Sequence, residues 1–525
     1  MTDNQSENLV ARVWKAGAAV IALLVAAAFI PPIEVCGTML RRANILSALM
    51  TFDDTSLISD VDETASEATA EELEAVDMER ITAEIAADTI PAAEEILSFE
   101  WVIDVPAERQ AREPADGAEP LTAGITAVED FGGDDSPFAR FLDKLEAGNE
   151  PVRIAVAGDS FIEGDIMTCD LRLLLQQRFG TESDATGFAP ASSPLTAFRR
   201  TVKTRSSGWS SYNVMQQQST PAAAADKYML GGWVSLPAAG ASTRWEPAAY
   251  GTGVAPRASH VDIYLLSPSH SRTEVIINDT LRRPFEIAGS PKLRRISVTA
   301  PAIASAELRV ISPGEGFIGY GASFRGDGVT VDNYSVRSNS GQALLRMNHS
   351  LNAQLDRFTP YDLVILQYGL NIMQQGRHNY DSYTVQVEKM TELVRGCFPA
   401  AAVLIMGVSD RSVKSDDGSF VRIDALPYLD EAQREAARRT GSAFWSTSAA
   451  MQIEGGMARF VAEGCAGKDY THINYRGGER IARALCQAIC AAAEARPRAI
   501  ERREAMKFRA EELFERDDIG LKAEL

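Results

Sequence analysis

The sequence predicts an α/β fold, a parallel sheet interrupted by an inserted all-β domain of sandwich or jelly-roll type, with a membrane-spanning helix ahead of it. Three observations predict this. Short apolar, β-rich runs alternate with helical patterns in two separate stretches, as parallel sheets with crossover helices require. Between those stretches helical periodicity disappears, and closely spaced β-like runs take over. Residues 16–33, AGAAVIALLVAAAFIPPI, carry no charge and are nearly all apolar.

Eighteen such residues come close to the roughly 20 that a spanning helix needs. Arg12 and Lys15 precede them and favour the cytoplasmic side, although Arg41 and Arg42 follow. Residues 1–42 therefore read as a membrane anchor, with the bulk of the chain outside the cytoplasm; a cleaved signal peptide is the alternative. Residues 43–135 read as an acidic linker. From Asp53 to Asp135 there are about 25 acidic residues against three Arg and no Lys. Such a stretch favours an extended spacer, in which Ile96-Leu97 and Trp101-Val102-Ile103 can dock locally.

Ordered structure is expected from Ser136. Ser136-Pro137 followed by FARFLDKLEAG carries an N-cap, a proline in the first turn and a terminating Gly148. VRIAVAG (152–158) is a buried parallel strand, followed by a polar turn and the helix DLRLLLQQRFG. This first α/β part spans 136–199. The β insertion spans 200–327, with HVDIYLLS, TEVIIND, RRISVTA and AELRVIS as strands. The second α/β part spans 328–495. In it GVTVDNYSV, YDLVILQYG, AAVLIMGVS and SAFWST are strands, and GERIARALCQAICAAAEA is the last helix. Residues 496–525 form a charged helical tail.

The net charge of −20 excludes nucleic acid as a partner, because phosphate binding needs clustered Lys and Arg. The six cysteines show no C-x-x-C pair, and no ligand cluster calls for a metal or an organic cofactor. They leave a disulfide open without naming its partners.

Gly158-Asp159-Ser160 follows the first strand, where a serine hydroxyl lies at the carboxyl edge of the sheet beside helix N–H groups. A hydroxyl needs a base to act as a nucleophile. Five histidines are available: His260 and His270 in the β insertion, His349 in a helix, His378 in a loop, and His472. His472 is the best placed, because Asp469-Tyr470-Thr471-His472 lets one loop present both a base and the carboxylate that orients it. YDLVILQYGLN puts Gly369 and Asn371 directly after an apolar strand, where an amide can face a developing oxyanion. Glu163 and Asp165, one turn past Ser160, suit the start of a helix, where acids complement its dipole.

Taken in order, GDS, a G-x-N after a middle strand and D-x-x-H before the last helix resemble the SGNH (GDSL-like) hydrolases. The resemblance covers about 150–200 and 328–495. It implies a three-layer flavodoxin-like domain, a triad of Ser160, Asp469 and His472, and an oxyanion hole from Ser160, Ser338 and Asn371. Gly158, Asp159 and Gly369 support them. The family's second-block glycine falls on Ser338 when counted from Asn333, a departure that keeps the backbone N–H; Gly341 is a weaker match. Where family members often have Asp after the Asn, this chain has Ile372. The anchor, spacer and β insertion together are similar to the layout of bacterial exported peptidoglycan O-acetylesterases, whose insertion is carbohydrate-binding-like. The resemblance thus implies a serine esterase acting on an acylated cell-wall or surface polysaccharide. A polysaccharide O-acetyltransferase using the same triad and a non-catalytic glycan-binding protein are the alternatives.

Overall fold

The computed structural model describes residues 33–35, 38–40, 97–103, 124–179, 185–250, 256, 258–415 and 417–496. The chain forms two compact units, Met1–Ala65 and Ser66–Leu525. In the first, strands β1 (Ile33–Val35) and β2 (Thr38–Leu40) pair antiparallel. Apart from Ile33, the expected spanning segment lies outside the described residues, as does the tail from 497. Among the described residues no helix is long and apolar enough to cross a membrane.

In the second unit the strands run β3 (Ser98–Val102), β4 (Glu129–Asp130), β5 (Val152–Gly158), β6 (Gly187–Pro190), β7 (Val202–Asn213), β8 (Trp233–Pro247) and β9 (Ala258–Ser267). They continue as β10 (Ser271–Ile277), β11 (Leu281–Ile287), β12 (Ser290–Ile303), β13 (Ala306–Ser312), β14 (Ile318–Arg325) and β15 (Val329–Ser335). The last are β16 (Leu363–Gln367), β17 (Ala402–Met406), β18 (Ser412–Lys414), β19 (Phe420–Arg422) and β20 (Ala443–Trp445). The helices are α1 (Pro137–Ala147), α2 (Thr168–Arg178), α3 (His349–Phe358), α4 (Asp381–Cys397), α5 (Leu426–Thr440), α6 (Thr447–Ile453), α7 (Gly456–Ala462) and α8 (Tyr475–Glu494).

One sheet has the order β15-β5-β16-β17-β20-β4. Its first five strands are parallel, and β4 closes the edge antiparallel to β20. In chain order the parallel strands run 2-1-3-4-5, the flavodoxin-like arrangement, whose order reverses beside β5. Alternation along β5 sorts its side chains into two cores. Ala155 and Ala157 face a layer with Leu351, Val387, Met390 and Leu429 from α3, α4 and α5. Ile154 and Val156 face Leu142, Leu171, Leu485 and Ile489 from α1, α2 and α8. Burying each such branched side chain stabilises by about 1.5–3 kcal/mol, which explains why β16 and β17 are buried throughout.

The local signals at α1 act as chemistry dictates. Ser136 Oγ accepts from Ala139 N at 2.8 Å, Pro137 opens the helix, and Gly148 leaves it at φ 58°.

The β part is one ten-stranded sheet rather than two separate ones. Its path is β11-β10-β13-β8-β14-β9-β12-β3, with β6 on β14 and β7 on β8. A single pair, Gly319 with Ser235, joins β14 to β8, so two five-stranded stacks, β11-β10-β13-β8 with β7 and β14-β9-β12-β3 with β6, meet at that seam. Both stacks send side chains into one core, Val275, Phe285 and Leu308 from one and Ile263, Val298 and Phe324 from the other, so the sheet is curled around it. The ends of the path meet as well. Phe285 of β11 packs edge-on against Phe99 of β3, with centroids 5.8 Å apart.

The expected linker thus contains two ordered pieces. Residues 98–102 pair parallel with β12, and 129–130 pair with β20. Likewise β6 belongs to the β sheet although it precedes residue 200. The β part also lies directly on the α/β sheet. Phe188 N donates to Asp332 of β15 at 2.6 Å. A side chain at Gly187, φ +72°, would come within 2.4 Å of Val331 O. Tyr264, Leu266 and Leu293 share a core with Tyr334, Tyr361 and Leu355.

Candidate active site

Four loops build the site. Three follow β5, β15 and β16 at the carboxyl edge of the parallel sheet, beside the point where strand order reverses, which is where open α/β sheets place their ligands; the fourth, between α7 and α8, carries Asp469 and His472.

The first loop turns sharply because β16 lies so close. A Cβ on Gly158 would meet Gln367 O at 2.8 Å. Asp159, fully buried, caps the 3-10 turn Ser160–Asp165 by accepting from Phe161 N at 2.9 Å. That turn leaves Ser160 partly exposed at its start. Its Oγ lies 3.2 Å from His472 Nε2. His472 Nδ1 lies 2.7 Å from Asp469 Oδ2. Asp469 Oδ1 also accepts from the backbone N–H groups of Thr471 and His472, at 3.0 and 3.1 Å. Three backbone-tied residues thus form one hydrogen-bonded chain from carboxylate to hydroxyl.

Electrostatics reinforce the chain. Burial disfavours the charged forms of both partners. At Asp469 the His472 hydrogen bond and charge outweigh it and hold the carboxyl below its ordinary range. At His472 the Asp469 hydrogen bond and charge, aided by Asp159 and Glu163, outweigh it and raise the imidazole above its usual value. Asp159 itself is pushed up to about 7 by burial, against the Phe161 hydrogen bond and the His472 charge.

The other expected site residues fall as follows. Ser338 lies past the end of β15 at φ 58°, a left-handed conformation that favours glycine, and its position is the one matched to the family's glycine. Among the described residues, neither the Ser160 N–H nor the Ser338 N–H is paired within the protein. Asn371 sits just past β16 after Gly369, whose φ is +118°. Its amide donates to Asp159 Oδ2 at 3.0 Å and to Asn339 O at 3.2 Å. Both N–H groups are therefore engaged, and one must turn from these partners to meet an oxyanion. His378 pairs with Asp424 at 2.9 Å and stacks on Tyr428, while His270 pairs with Glu286.

Glu163 and Asp165 do not start a helix, because α2 begins only at Thr168. Glu163 instead receives a two-pronged ion pair from Arg337, one prong at 2.6 Å. This ties the nucleophile's loop to the loop carrying Ser338. Asp165 is fully buried and binds Arg172, Arg199 and Thr201. Burial opposes its charge, but the two guanidiniums outweigh it and hold the carboxyl well below the usual range. Sequence periodicity carries no signal for the distant partners, because Arg199 lies 34 residues from Asp165 and Arg337 lies 174 from Glu163.

The hairpin β18–β19 braces the histidine loop. Ser412 N donates to Tyr470 O at 3.0 Å, and the Phe420 ring stacks on Tyr470 with centroids 3.7 Å apart. Asp165, Met167, Ser338 and Tyr470 all hold positive φ without being glycine, and all four flank the site. Backbone strain of this kind gathers where surrounding structure fixes a functional geometry. Among the described residues no group of His, Cys, Asp and Glu could hold a metal ion, and the five described cysteines are free and buried.

The chain shares its fold with a solved esterase structure. A structure of a peptidoglycan O-acetylesterase aligns at TM-score 0.56 and 22% identity, over 70% of this chain and 99% of that one. A family two carbohydrate esterase from Cellvibrio japonicus aligns at TM-score 0.23 and 9% identity, over 59% of this chain and 99% of that one. A salicylyl-acyltransferase from a tetracycline biosynthetic pathway aligns at TM-score 0.26 and 13% identity, over 59% and 98%. The last two are too distant to carry an argument. No protein-family model matches the chain, and no curated protein matches it. The resemblance to SGNH/GDSL-like hydrolases read from the motifs therefore stands beside a shared fold.

Proposed function

We propose that the protein is a serine esterase that removes acetyl groups from a cell-wall or surface polysaccharide. The observation that carries this reading is the hydrogen-bonded chain Asp469–His472–Ser160 at the carboxyl edge of the sheet. Likeness of fold to a peptidoglycan O-acetylesterase supports the choice of substrate.

In this reading His472 Nε2 takes the Ser160 proton as Oγ bonds to the ester carbonyl carbon. Asp469 holds Nδ1–H and stabilises the imidazolium. The Ser160 and Ser338 N–H groups, and one Asn371 N–H turned from Asp159, hold the oxyanion. The C–O bond to the sugar then breaks, and the sugar oxygen leaves with the proton from His472. Water, deprotonated by His472, attacks the acetyl-enzyme carbonyl; the C–O bond to Ser160 Oγ breaks, Oγ takes the proton from His472, and acetic acid is released. None of these steps calls for a metal or cofactor. The β part, lying on β15, offers a polysaccharide chain a second surface. The membrane anchor and extracytoplasmic location belong to the same proposal and rest on residues 16–33 alone.

The test is hydrolysis of p-nitrophenyl acetate by the full chain beside its Ser160→Ala variant. Turnover that vanishes in a folded variant supports the reading. Full activity in the variant overturns the assignment of the nucleophile.

A further inference from the structure

Arg200 follows the 3-10 turn Pro194–Phe198 and precedes β7, with an exposed side chain. Its guanidinium carbon lies 3.6 Å from the centroid of the Tyr475 ring and 6.0 Å from that of Tyr250. Tyr475 is itself fixed, since its hydroxyl lies within donating distance of two carbonyl oxygens, Gly164 O at 3.1 Å and Phe198 O. Gly164 lies four residues past Ser160, and Tyr475 three past His472. The cation therefore rests at the margin of the site, on a ring that opens α8 and is tied to the nucleophile's loop.

Among the described residues, Arg200 makes no ion pair and no hydrogen bond. The neighbouring arginines behave otherwise. Arg199 and Arg172 bind Asp165, and Arg337 binds Glu163. Asp170, which Tyr250 contacts, is occupied by the Tyr250 hydroxyl at 2.6 Å. Stacking on a ring uses one face of the guanidinium and leaves its N–H edge free, the edge that matches a carboxylate in two-pronged fashion. It also restricts the side chain before any ligand arrives, so less freedom is lost on binding.

We propose that Arg200 is a specificity-determining residue that receives a carboxylate carried on the alcohol part of the ester. The alcohol part is chosen because an acetyl group is too small to reach beyond the Ser160 loop. This rests on the esterase reading above and extends it to an acidic glycan. Neutral esters lack the group that Arg200 binds, so the residue sorts substrates without taking part in bond breaking.

A matched pair of acetyl esters tests this, 4-acetoxybenzoate and its methyl ester, which differ by one charge. The kcat/KM ratio of the charged over the neutral ester is measured for the full chain and for Arg200→Met. The ratio should fall about tenfold in the variant, as loss of a partly solvated charge-assisted hydrogen bond implies. Added salt should lower it in the native chain. An unchanged ratio overturns the proposal, and equal loss on both esters assigns Arg200 a structural role instead. Binding of 4-acetoxybenzoate to Ser160→Ala, with and without Arg200→Met, is measured by calorimetry. This readout needs no turnover, so it separates failure of this inference from failure of the esterase reading. Equal affinity in the two chains overturns the inference even where the native chain is inactive.

Discussion

Cutting the Glu163–Arg337 tie from either side should have unequal consequences. The Glu163 side chain is 4% exposed and that of Arg337 24%. Arg337→Met strands a carboxylate in a site that water barely reaches, and breaking a buried pair in this way costs about 3–5 kcal/mol. Partial access of water through the Arg337 side places the expected loss at the lower end, about 3 kcal/mol. Glu163→Gln leaves a guanidinium that can still hydrate and an amide oxygen that can still accept from it, so the loss should be about 1–2 kcal/mol. Replacing both by Met removes the stranded charge and should be milder than Arg337→Met alone. Urea unfolding of the full chain, followed by circular dichroism, measures all three. Because the tie joins the loops of Ser160 and Ser338, p-nitrophenyl acetate turnover should fall in the same order. Equal destabilisation by the two single variants, or a double variant worse than Arg337→Met, would refute the view of a buried carboxylate held by one cation.

Other predictions concern the hydrogen-bonded chain and the oxyanion donors. His472 must be neutral to accept a proton, so activity is present above its pKa and lost as pH falls through it; that pKa is raised by Asp469, which places the acid limb above the ordinary imidazole value. Asp469→Asn should slow hydrolysis by about 10²–10⁴-fold and move that limb to lower pH, as a pH–rate profile would show. Ser338→Gly should keep activity, because the N–H is a backbone group. It should also lie within about 1 kcal/mol of native stability, since relief of the left-handed strain is offset by a freer unfolded chain. Asn371→Ala should cost about 10²–10³ in kcat; a variant with native turnover would remove Asn371 from the oxyanion hole.

Local signals made much of the fold legible. The apolar runs at 152–158, 363–367 and 402–406 give buried parallel strands because a strand covered on both faces needs apolar side chains throughout. Ser160, Asp469 and His472 could be singled out because each lies beside a strand end or a helix start. Long-range pairing was not legible. Nothing in SFEWV announces that 98–102 adds a strand to β12, 197 residues ahead, so an acidic spacer was the natural reading. The Arg337 grip on Glu163 and the Asp159–Asn371 bond were hidden for the same reason. A helix-start reading of Glu163 and Asp165 uses only neighbours in sequence; Thr168 and Arg172 are such neighbours of Asp165, but Arg199 and Arg337 come from distant loops. The single curled β sheet likewise follows from the seam at Gly319 and Ser235, which strand spacing does not encode.

The central claim is that Ser160 is the nucleophile of an acyl-transfer reaction. Its most direct test is acid quenching of the full chain during turnover of p-nitrophenyl acetate, followed by peptide mapping of the acetylated residue by mass spectrometry. The account predicts one acetyl group, on Ser160, that accumulates in the native chain and is absent from Ser160→Ala. Acetyl found on another residue, together with undiminished hydrolysis by Ser160→Ala, would contradict it.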